Sequence, residues 1–135
     1  MAALVDANVL LDILTADPVW LSWSSAQISQ AKASGPLIIN AVICAGIAPA
    51  FGFDWLAIDQ WLKPSLFMRE ELPFEASVLA AQAHLAYRKK GGSKTSTLPD
   101  FFIGAHAMVA GHSLLTRDAA RYRTYFPSIS LICPP

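Results

Sequence analysis

Three aspartates, Asp6, Asp100 and Asp118, occupy similar places in the sequence. Asp6 and Asp118 each follow a short apolar segment and precede a helical pattern, whereas Asp100 stands at the head of an apolar run with helical spacing. A single aspartate in such a place is typical of a helix N-cap or first-turn residue. Three of them indicate more, because in an α/β fold the strand ends and helix starts meet along one edge of the sheet, where ligands bind.

Carboxylates that converge at one edge repel each other and are usually compensated by a metal ion or a cationic partner. Carboxylate oxygens are hard ligands that suit Mg²⁺ or Mn²⁺, ions that keep several waters and take a phosphate as a further ligand. A metal held in this way can activate water and stabilise an in-line displacement at phosphorus. The three aspartates are therefore candidate metal ligands of a phosphoryl-transfer site.

Basic residues are concentrated towards the C-terminus. Of the ten lysines and arginines, only Lys32, Lys63 and Arg69 precede position 85. Basic side chains grouped in this way could hold an extended nucleic-acid backbone, although a basic run at a helix end also serves as a simple C-terminal cap. The candidate nucleic-acid-binding residues are Arg88, Lys89, Lys90, Lys94 and Arg117.

Short apolar segments alternate with helical patterns along the whole chain. The predicted strands are Ala2–Val5, Leu37–Ile39, Ser113–Thr116 and Ile129–Ile132. The predicted helices begin near Asp6, Asp17, Ala41, Phe53, Pro73, Phe101 and Ala119, and Leu66–Leu72 is predicted to be a connector. This alternation predicts one α/β domain over residues 1–135, with a parallel sheet and helices on both faces.

The sequence also gives expectations for individual polar residues and for one helix face. Asn8 and Asn40 are plausible helix caps, and Asp12 is expected to be solvated, although its helix starts near the acidic edge. In the helix after Pro73, the residues expected to face inward are Val78, Leu79, Ala83, Ala86 and Tyr87. The histidines, His84, His106 and His112, show no metal-ligand spacing, and no serine or cysteine has a nucleophile context.

Composition bounds the class of protein. Hydrophobic residues make up 54% of the 135 residues and the formal net charge is zero, which indicates a sizeable core with apolar surface left for a partner or an oligomer. The two isolated cysteines form no zinc or disulfide pattern, and no signal peptide is visible, so a reducing cytoplasm is expected. The uncharged stretch from Ala33 to Phe53 contains Gly, Pro and Asn and is interpreted as a buried strand and a buried helix, not a membrane span.

Four segments resemble the PIN-domain family, and within it the VapC-type toxins of bacterial toxin–antitoxin modules. They are Val5–Asp12 (VDANVLLD), Leu98–Ala107 (LPDFFIGAHA), Leu114–Asp118 (LLTRD) and the closing run Asp118–Pro127 (DAARYRTYFP). The resemblance covers nearly the whole chain. It implies a small three-layer α/β/α sandwich and a Mg²⁺- or Mn²⁺-dependent endoribonuclease. It also implies an antitoxin that blocks the acidic groove, and a homodimer within the complex.

Position by position, the resemblance assigns roles to individual residues. Asp6, Asp100 and Asp118 match the first, third and fourth acids of the family, and these are the implied metal ligands. Thr116 matches a hydroxyl position beside the site, and Asn8 matches a polar position after the first acid.

The second family acid is missing from this chain. The family pattern has a Glu directly after a run like Ile39–Ala45, and Gly46 stands in its place. We hypothesise that Gly46 replaces this Glu, either naturally or because a weakened toxin is easier to produce, and that its loss weakens or abolishes catalysis. A glycine is a poor helix residue, so no local structural reason for it is expected.

Two other classes of protein compete with the nuclease. One is a non-catalytic PIN-like binding protein that acts through its antitoxin or by holding RNA, and metal titration distinguishes it from an enzyme. The other is a phospho-acceptor signalling domain, which would be expected to have an acceptor Asp after a central strand. Here Leu37–Ile39 is followed by Asn40, which disfavours it.

Overall fold

The computed structural model describes residues 1–92 and 98–135. Five strands form one sheet in the order β3-β2-β1-β4-β5, and every neighbouring pair is parallel. The strands are β1 (Ala3–Val5), β2 (Leu37–Ile39), β3 (Phe67–Arg69), β4 (Ser113–Leu115) and β5 (Leu131–Ile132). The predicted parallel sheet is therefore confirmed.

Helices cover the sheet and complete a three-layer α/β/α arrangement. They are α1 (Ala7–Leu14), α2 (Leu21–Ser34), α3 (Ala41–Ile47), α4 (Trp55–Trp61), α5 (Phe74–Lys89), α6 (Leu98–Ala110) and α7 (Ala120–Tyr125). The three central strands, β1, β2 and β4, are buried at every residue. Such strands need apolar side chains on both faces, which explains why they appear in the sequence as continuous apolar runs.

Strand register aligns the carboxyl ends of the central strands. Val5 pairs with Leu115, and Leu4 pairs with Ile38. The residues that follow these strands, Asp6, Thr116 and Asn40, therefore emerge along the same edge of the sheet. This edge is the crevice where ligands bind in open α/β folds.

The connector predicted over Leu66–Leu72 is wrong, because it contains strand β3. This strand lies at the edge of the sheet and pairs only with β2. Phe67 is buried, whereas Met68 and Arg69 are exposed. The apolar run Leu66–Met68 is followed directly by the charged Arg69–Glu71, and an edge strand with one buried side chain gives only a weak signal in the sequence.

The helix predicted over 41–51 is shorter and less buried than expected. It is regular only to Ile47 and continues as a 3-10 turn over Ala48–Phe51, which contains Pro49. Asn40 caps it as predicted, since its side chain accepts a hydrogen bond from the Ile43 N–H at 2.9 Å. Ala41 and Ala45 are exposed, because one face of the helix is turned to solvent.

Helix α5 buries the predicted face apart from Val78: Ala83 is buried, and Leu79 and Tyr87 pack against the core. Ala76, Ala80 and Ala83 form its buried stripe and lie towards α6, with which α5 packs. Val78 was expected to face inward but is 59% exposed. The small alanines allow α5 and α6 to approach closely, and the larger apolar side chains Phe74, Val78 and Leu85 remain outside.

Among the described residues, no single helix is both long and apolar enough to cross a membrane. The sharply bent pair Ala41–Phe51 and Trp55–Trp61 passes that test only when taken together, by length and composition.

Candidate functional site

Asp6 lies at the centre of the site, directly after β1 and at the N-cap position of α1. It is 4% exposed. Its Oδ2 accepts hydrogen bonds from Thr116 Oγ1 at 2.9 Å, Tyr122 OH at 3.0 Å and Asn8 Nδ2 at 3.4 Å. All three side-chain donors bond to the same oxygen, Oδ2, which fixes the orientation of the carboxylate. None of these three bonds involves Oδ1. Asn8, expected as a cap, instead donates to Asp6 from within α1.

Burial raises the pKa of Asp6 from 3.8 to about 6. The hydrogen bond from Thr116 opposes this shift, and the nearby charge of Asp100 adds to it. A buried carboxylate with a raised pKa and a like-charged neighbour is favoured by a cation placed between them. The electrostatics of Asp6 therefore point to a site that gains from binding a positive charge.

Thr116 connects two of the predicted acids. Its hydroxyl donates to Asp6 and accepts from the Asp118 N–H at 3.1 Å and from Asn8 Nδ2 at 3.2 Å. The hydroxyl thus holds the turn after β4 against the end of β1. Asp118 itself is exposed, so its carboxylate faces the solvent side of the site.

Asp100 lies in the first turn of α6 and completes the predicted cluster. Burial raises its pKa, Arg121 lowers it, and the nearby Asp118 raises it again, with a net upward shift. Asp100 therefore lies within electrostatic reach of both Asp6 and Asp118, and Thr116 connects the segments that carry Asp6 and Asp118. Arg121 Nη1 donates to Asp100 Oδ2.

Tyr122 and Arg121 are site residues that the sequence analysis missed. They are neighbours in α7, and they contact Asp6 and Asp100 respectively. Both belong to the closing segment that follows Asp118, so the same motif contained them. Nothing in their spacing indicated that successive helix residues would reach two different carboxylates.

The expectation that Asp12 is solvated is wrong. Asp12 is 1% exposed, accepts from Ser24 Oγ at 2.7 Å, and pairs with Arg117 Nε at 2.8 Å. Arg117 also stacks over the Trp20 ring, 5.5 Å from its centroid. A buried carboxylate needs such partners, and Arg117 supplies one by reaching across from the turn after β4.

Gly46 has a local structural reason, contrary to expectation. A Cβ built on Gly46 would lie 2.8 Å from the Cβ of Ala7, a separation at which one of the two helices must shift. Ala7 is the residue directly after Asp6 in α1. Position 46 therefore faces the start of α1, next to the aspartate cluster, and adds no carboxylate to it.

The donor set fits a hydrated hard cation. Three carboxylates, one buried and two more open, match the oxygen ligands that Mg²⁺ and Mn²⁺ prefer. Within residues 1–92 and 98–135, the three aspartates do not form a group whose ligand atoms all lie within 4.8 Å of one another. Mg²⁺ usually keeps several waters in proteins, and water-bridged contacts suit such an open arrangement.

A second cluster joins Glu70, His106 and His112, although no pairing of histidines was expected. Both Nε2 atoms lie 2.8 Å from Glu70 Oε1. His106 is fully buried. Among the described residues this is the group of three potential ligands within 4.8 Å of one another. Glu70 is far from the two histidines in sequence, so no local spacing predicts the cluster.

Hydrogen bonding accounts for this cluster without a metal. Asn40 Oδ1 accepts the Ile43 N–H at 2.9 Å, so its amide group Nδ2 faces His106 Nδ1, also at 2.9 Å. Since Nδ2 only donates, Nδ1 accepts and the neutral ring carries its proton on Nε2. That N–H donates to Glu70, so the ring presents a proton to the cluster where a metal ion would need a lone pair.

The predicted RNA-binding residues divide into two groups. Arg88 and Lys89 end α5 and Lys90 caps it, and all three are exposed. Lys90 Nζ lies 5.7 Å from the ring centroid of Tyr125. Arg117 is instead paired with Asp12. Lys94 lies outside the described residues.

Comparisons with known proteins show which fold this is. No protein-family model matches the sequence, and a search of curated proteins found no significant match. A chain of the VapBC2 crystal structure from Rickettsia felis, bound to a promoter DNA fragment, aligns with a TM-score of 0.75 at 13% identity over 100% of both chains.

Two further solved structures align with the chain at similar TM-scores. VapBC-1 from nontypeable Haemophilus influenzae gives a TM-score of 0.70 at 15% identity over 98% of both chains, and FitAcB from Neisseria gonorrhoeae gives 0.69 at 17% over 96% of both. At such identities the likeness is one of fold. The chain therefore shares the fold of these VapBC and FitAcB structures, and it has the three-layer α/β/α, PIN-like architecture that the family resemblance implied.

Proposed function

We propose that the chain is a Mg²⁺- or Mn²⁺-dependent endoribonuclease toxin of a toxin–antitoxin module, which hydrolyses RNA phosphodiester bonds. The observation that carries the proposal is the meeting of Asp6, Asp100 and Asp118 at the carboxyl edge of the sheet, with burial and mutual repulsion raising the pKa of Asp6. A hard cation relieves that repulsion and can polarise a phosphate at the same place.

Each residue of the site has a defined part. Asp6, Asp100 and Asp118 would hold the metal, which when bound supplies a Lewis acid and an activated water. Thr116, Tyr122 and Asn8 orient Asp6 through Oδ2. Because Asp118 is exposed, RNA would approach from its side of the cluster, where the basic end of α5 could contact the backbone.

The absence of the second acid of the family pattern, at Gly46, weakens this activity. A glutamate at position 46 needs space as well as its charge, because a Cβ there would approach Ala7 Cβ to 2.8 Å. We therefore expect Gly46→Glu to regain activity most fully when it is combined with Ala7→Gly.

An RNA cleavage assay tests the proposal. Wild type, Gly46→Glu and Ala7→Gly/Gly46→Glu are incubated with a mixed RNA pool and Mn²⁺ or Mg²⁺, with EDTA and Asp100→Asn as controls. We expect metal-dependent cleavage to increase from wild type to the double variant, and to disappear in EDTA and in the Asp100→Asn form of the double variant. Absence of cleavage by all three proteins would count against a ribonuclease.

The alternative is a non-catalytic PIN-like binding protein that acts through an antitoxin or RNA. Two observations favour it: Gly46 supplies no carboxylate, and Arg121 already pairs with Asp100. Such a protein would bind its partner equally well in EDTA, whereas an enzyme would need the metal for turnover.

An antitoxin is the proposed protein partner, and the neighbouring VapBC and FitAcB structures motivate it. Its docking surface would include the groove of about 340 Å³ between α3, α4 and β3. Asn40, at the acidic edge of the sheet, lines one end of the groove, and Trp55, 58% exposed, lines it as well. Exposed Phe53 and Leu56 extend the apolar surface beside it.

A homodimer is proposed from the exposed face of α5. Phe74, Val78 and Leu85 are 96%, 59% and 55% exposed and recur at intervals of four and seven residues, so they share one face of the helix. The opposite face packs on α6. A contiguous apolar stripe of this kind is typical of an interaction surface.

A further inference from the structure

The guanidinium group of Arg121 lies against the aspartate cluster. Its Nη1 donates to Asp100 Oδ2, and its central carbon lies 5.5 Å from the ring centroid of Tyr87 and 6.0 Å from that of Phe101. The side chain is 23% exposed. Two aromatic faces and a carboxylate thus hold a positive charge at Asp100.

Helix α7 carries both the positive charge of Arg121 and a hydrogen-bond donor, the hydroxyl group of Tyr122. Arg121 and Tyr122 stand in its first turn, two and three residues after Ala119 and close behind Asp118. Tyr122 fixes Asp6, and Arg121 pairs with Asp100. The position of Arg121 is therefore determined by the same short segment that positions the acids.

Charge balance gives Arg121 a distinct role among the basic residues. Asp6, Asp100 and Asp118 bring up to three negative charges together, and Gly46 adds none. Within the part of the chain that the structure describes, Arg121 is the basic side chain that forms an ion pair with one of the three. Arg117, the nearest in sequence to Asp118, pairs with Asp12 instead.

We propose that Arg121 is a built-in counter-ion of the metal-free site, which competes with the divalent cation for Asp100 and is displaced when the cation binds. This inference rests on the proposed metal site and adds a regulatory element to it. A guanidinium at Asp100 occupies a ligand oxygen and repels a second cation at short range. It therefore stabilises the empty site and lowers its affinity for metal.

Other roles for Arg121 predict different results. A purely structural ion pair would affect stability and leave metal affinity unchanged. An arginine that only binds the phosphate of RNA would affect RNA affinity and leave metal affinity unchanged. Competition alone predicts that loss of Arg121 makes metal binding tighter while it makes the metal-free protein less stable.

The test is a calorimetric titration of the full chain with Mn²⁺ at pH 7.5, without RNA. The variants are Arg121→Gln and the matched control Arg123→Gln, which removes an exposed arginine from the same helix. We expect Arg121→Gln to bind Mn²⁺ at least about fivefold more tightly than wild type, and Arg123→Gln to behave as wild type. Equal or weaker binding by Arg121→Gln, with measurable binding by wild type, overturns the inference and leaves the metal site intact. If no protein binds Mn²⁺, both the metal site and this inference fail.

A second measurement needs no substitution. The Nε–Hε resonance of Arg121 is followed by NMR while wild-type protein is titrated with Mg²⁺. We expect a saturable change in this resonance at the same Mg²⁺ concentration that perturbs the α7 backbone amides. A resonance that stays unchanged at saturating Mg²⁺ would contradict displacement, even if Arg121→Gln failed to fold.

Discussion

Asp6 shows the conflict between stability and function at the level of one residue. The carboxylate is buried next to Asp100, and three donors, all on one oxygen, compensate it only in part, so its pKa rises to about 6. At neutral pH the ionised form therefore costs folding free energy in the absence of a cation. Functional sites commonly retain such costs because the charge is needed there.

Asp6→Asn is expected to stabilise the metal-free protein at pH 7.5. The pKa of Asp6 is raised on folding, so its ionisation lowers the free energy of unfolding as the pH rises from 3.8 towards 6. Removal of the charge should then raise that free energy by about 1–3 kcal/mol, as measured by urea denaturation in EDTA. The gain should shrink at pH 4.5, and a less stable variant at pH 7.5 would contradict this account.

The contribution of Glu70 to stability changes with pH in the opposite direction to that of Asp6. Burial alone would raise its pKa, but hydrogen bonds from His112 and His106 outweigh burial and lower it below 4.5. The stabilising contribution of a carboxylate with a lowered pKa is present above its unfolded pKa and is lost as the pH falls through the folded value. Glu70→Gln should therefore be less stable than wild type at pH 6 to 7, and the difference should narrow below about pH 4.5.

Thermal denaturation across this pH range measures the effect, with the exposed neighbour Glu71→Gln as control. A Glu70→Gln variant that matches wild type at pH 7 would show that the histidine–glutamate cluster contributes nothing to stability.

The positions of site residues could be predicted from the sequence where a motif fixed the backbone position, whereas the roles of these residues remain predictions. Asp6, Asn8 and Thr116 follow or flank strand ends, and the parallel register brings them into contact. Tyr122, Arg121 and the Glu70 cluster were missed because their meeting depends on how helices pack, which leaves no spacing signal in the sequence.

The contact between α1 and α3 is the feature of greatest consequence at the level of elements. Gly46 and Ala7 bring these two helices together at the start of α1, beside Asp6. The absence of a side chain at position 46 allows this approach and at the same time removes a carboxylate. The sequence indicated the missing carboxylate but not the close approach of the two helices.

Gly46→Ala tests this contact. In a free helix Ala is favoured over Gly by about 1 kcal/mol, but here its Cβ would meet Ala7 Cβ at 2.8 Å. We expect a net loss of about 1–2 kcal/mol in the free energy of unfolding, since overpacking typically costs this much or more. In a double-mutant cycle, Ala7→Gly should abolish the penalty of Gly46→Ala. A more stable Gly46→Ala protein would show that the helices separate easily.

Prediction of whole elements depended on how much of each element is buried. The fully buried strands β1, β2 and β4 were visible as apolar runs, and α5 was visible from its length and terminal glycines. Edge strand β3 was missed because only Phe67 is buried. Of the five α5 residues expected to face inward, Val78 is the exposed one, because the buried stripe of the helix is formed by alanines.

At the scale of the whole molecule, the exposed apolar surface of the described residues includes the α5 stripe of Phe74, Val78 and Leu85 and the surface around Trp55. A small domain with 54% hydrophobic residues was expected to retain such surface. The sequence could not place it, because the rotation of α5 decides which side chains are exposed.

The α5 stripe is expected to form a homodimer interface. Phe74→Ser/Val78→Ser should shift the protein from dimer to monomer in size-exclusion chromatography with multi-angle light scattering, since it removes the two most exposed apolar side chains of the stripe. Val19→Ser, which replaces another exposed valine outside α5, is the matched control. A monomeric wild type at high concentration would contradict the proposed homodimer.

The position of the metal is the most direct test of the central claim. Crystals of the wild-type protein soaked in Mn²⁺ can be measured for anomalous scattering at a wavelength where manganese contributes strongly. We predict one peak bounded by Asp6, Asp100 and Asp118, with the guanidinium of Arg121 moved away from Asp100. A peak at Glu70, His106 and His112 instead, or none beside the three aspartates at saturating Mn²⁺, would contradict the account.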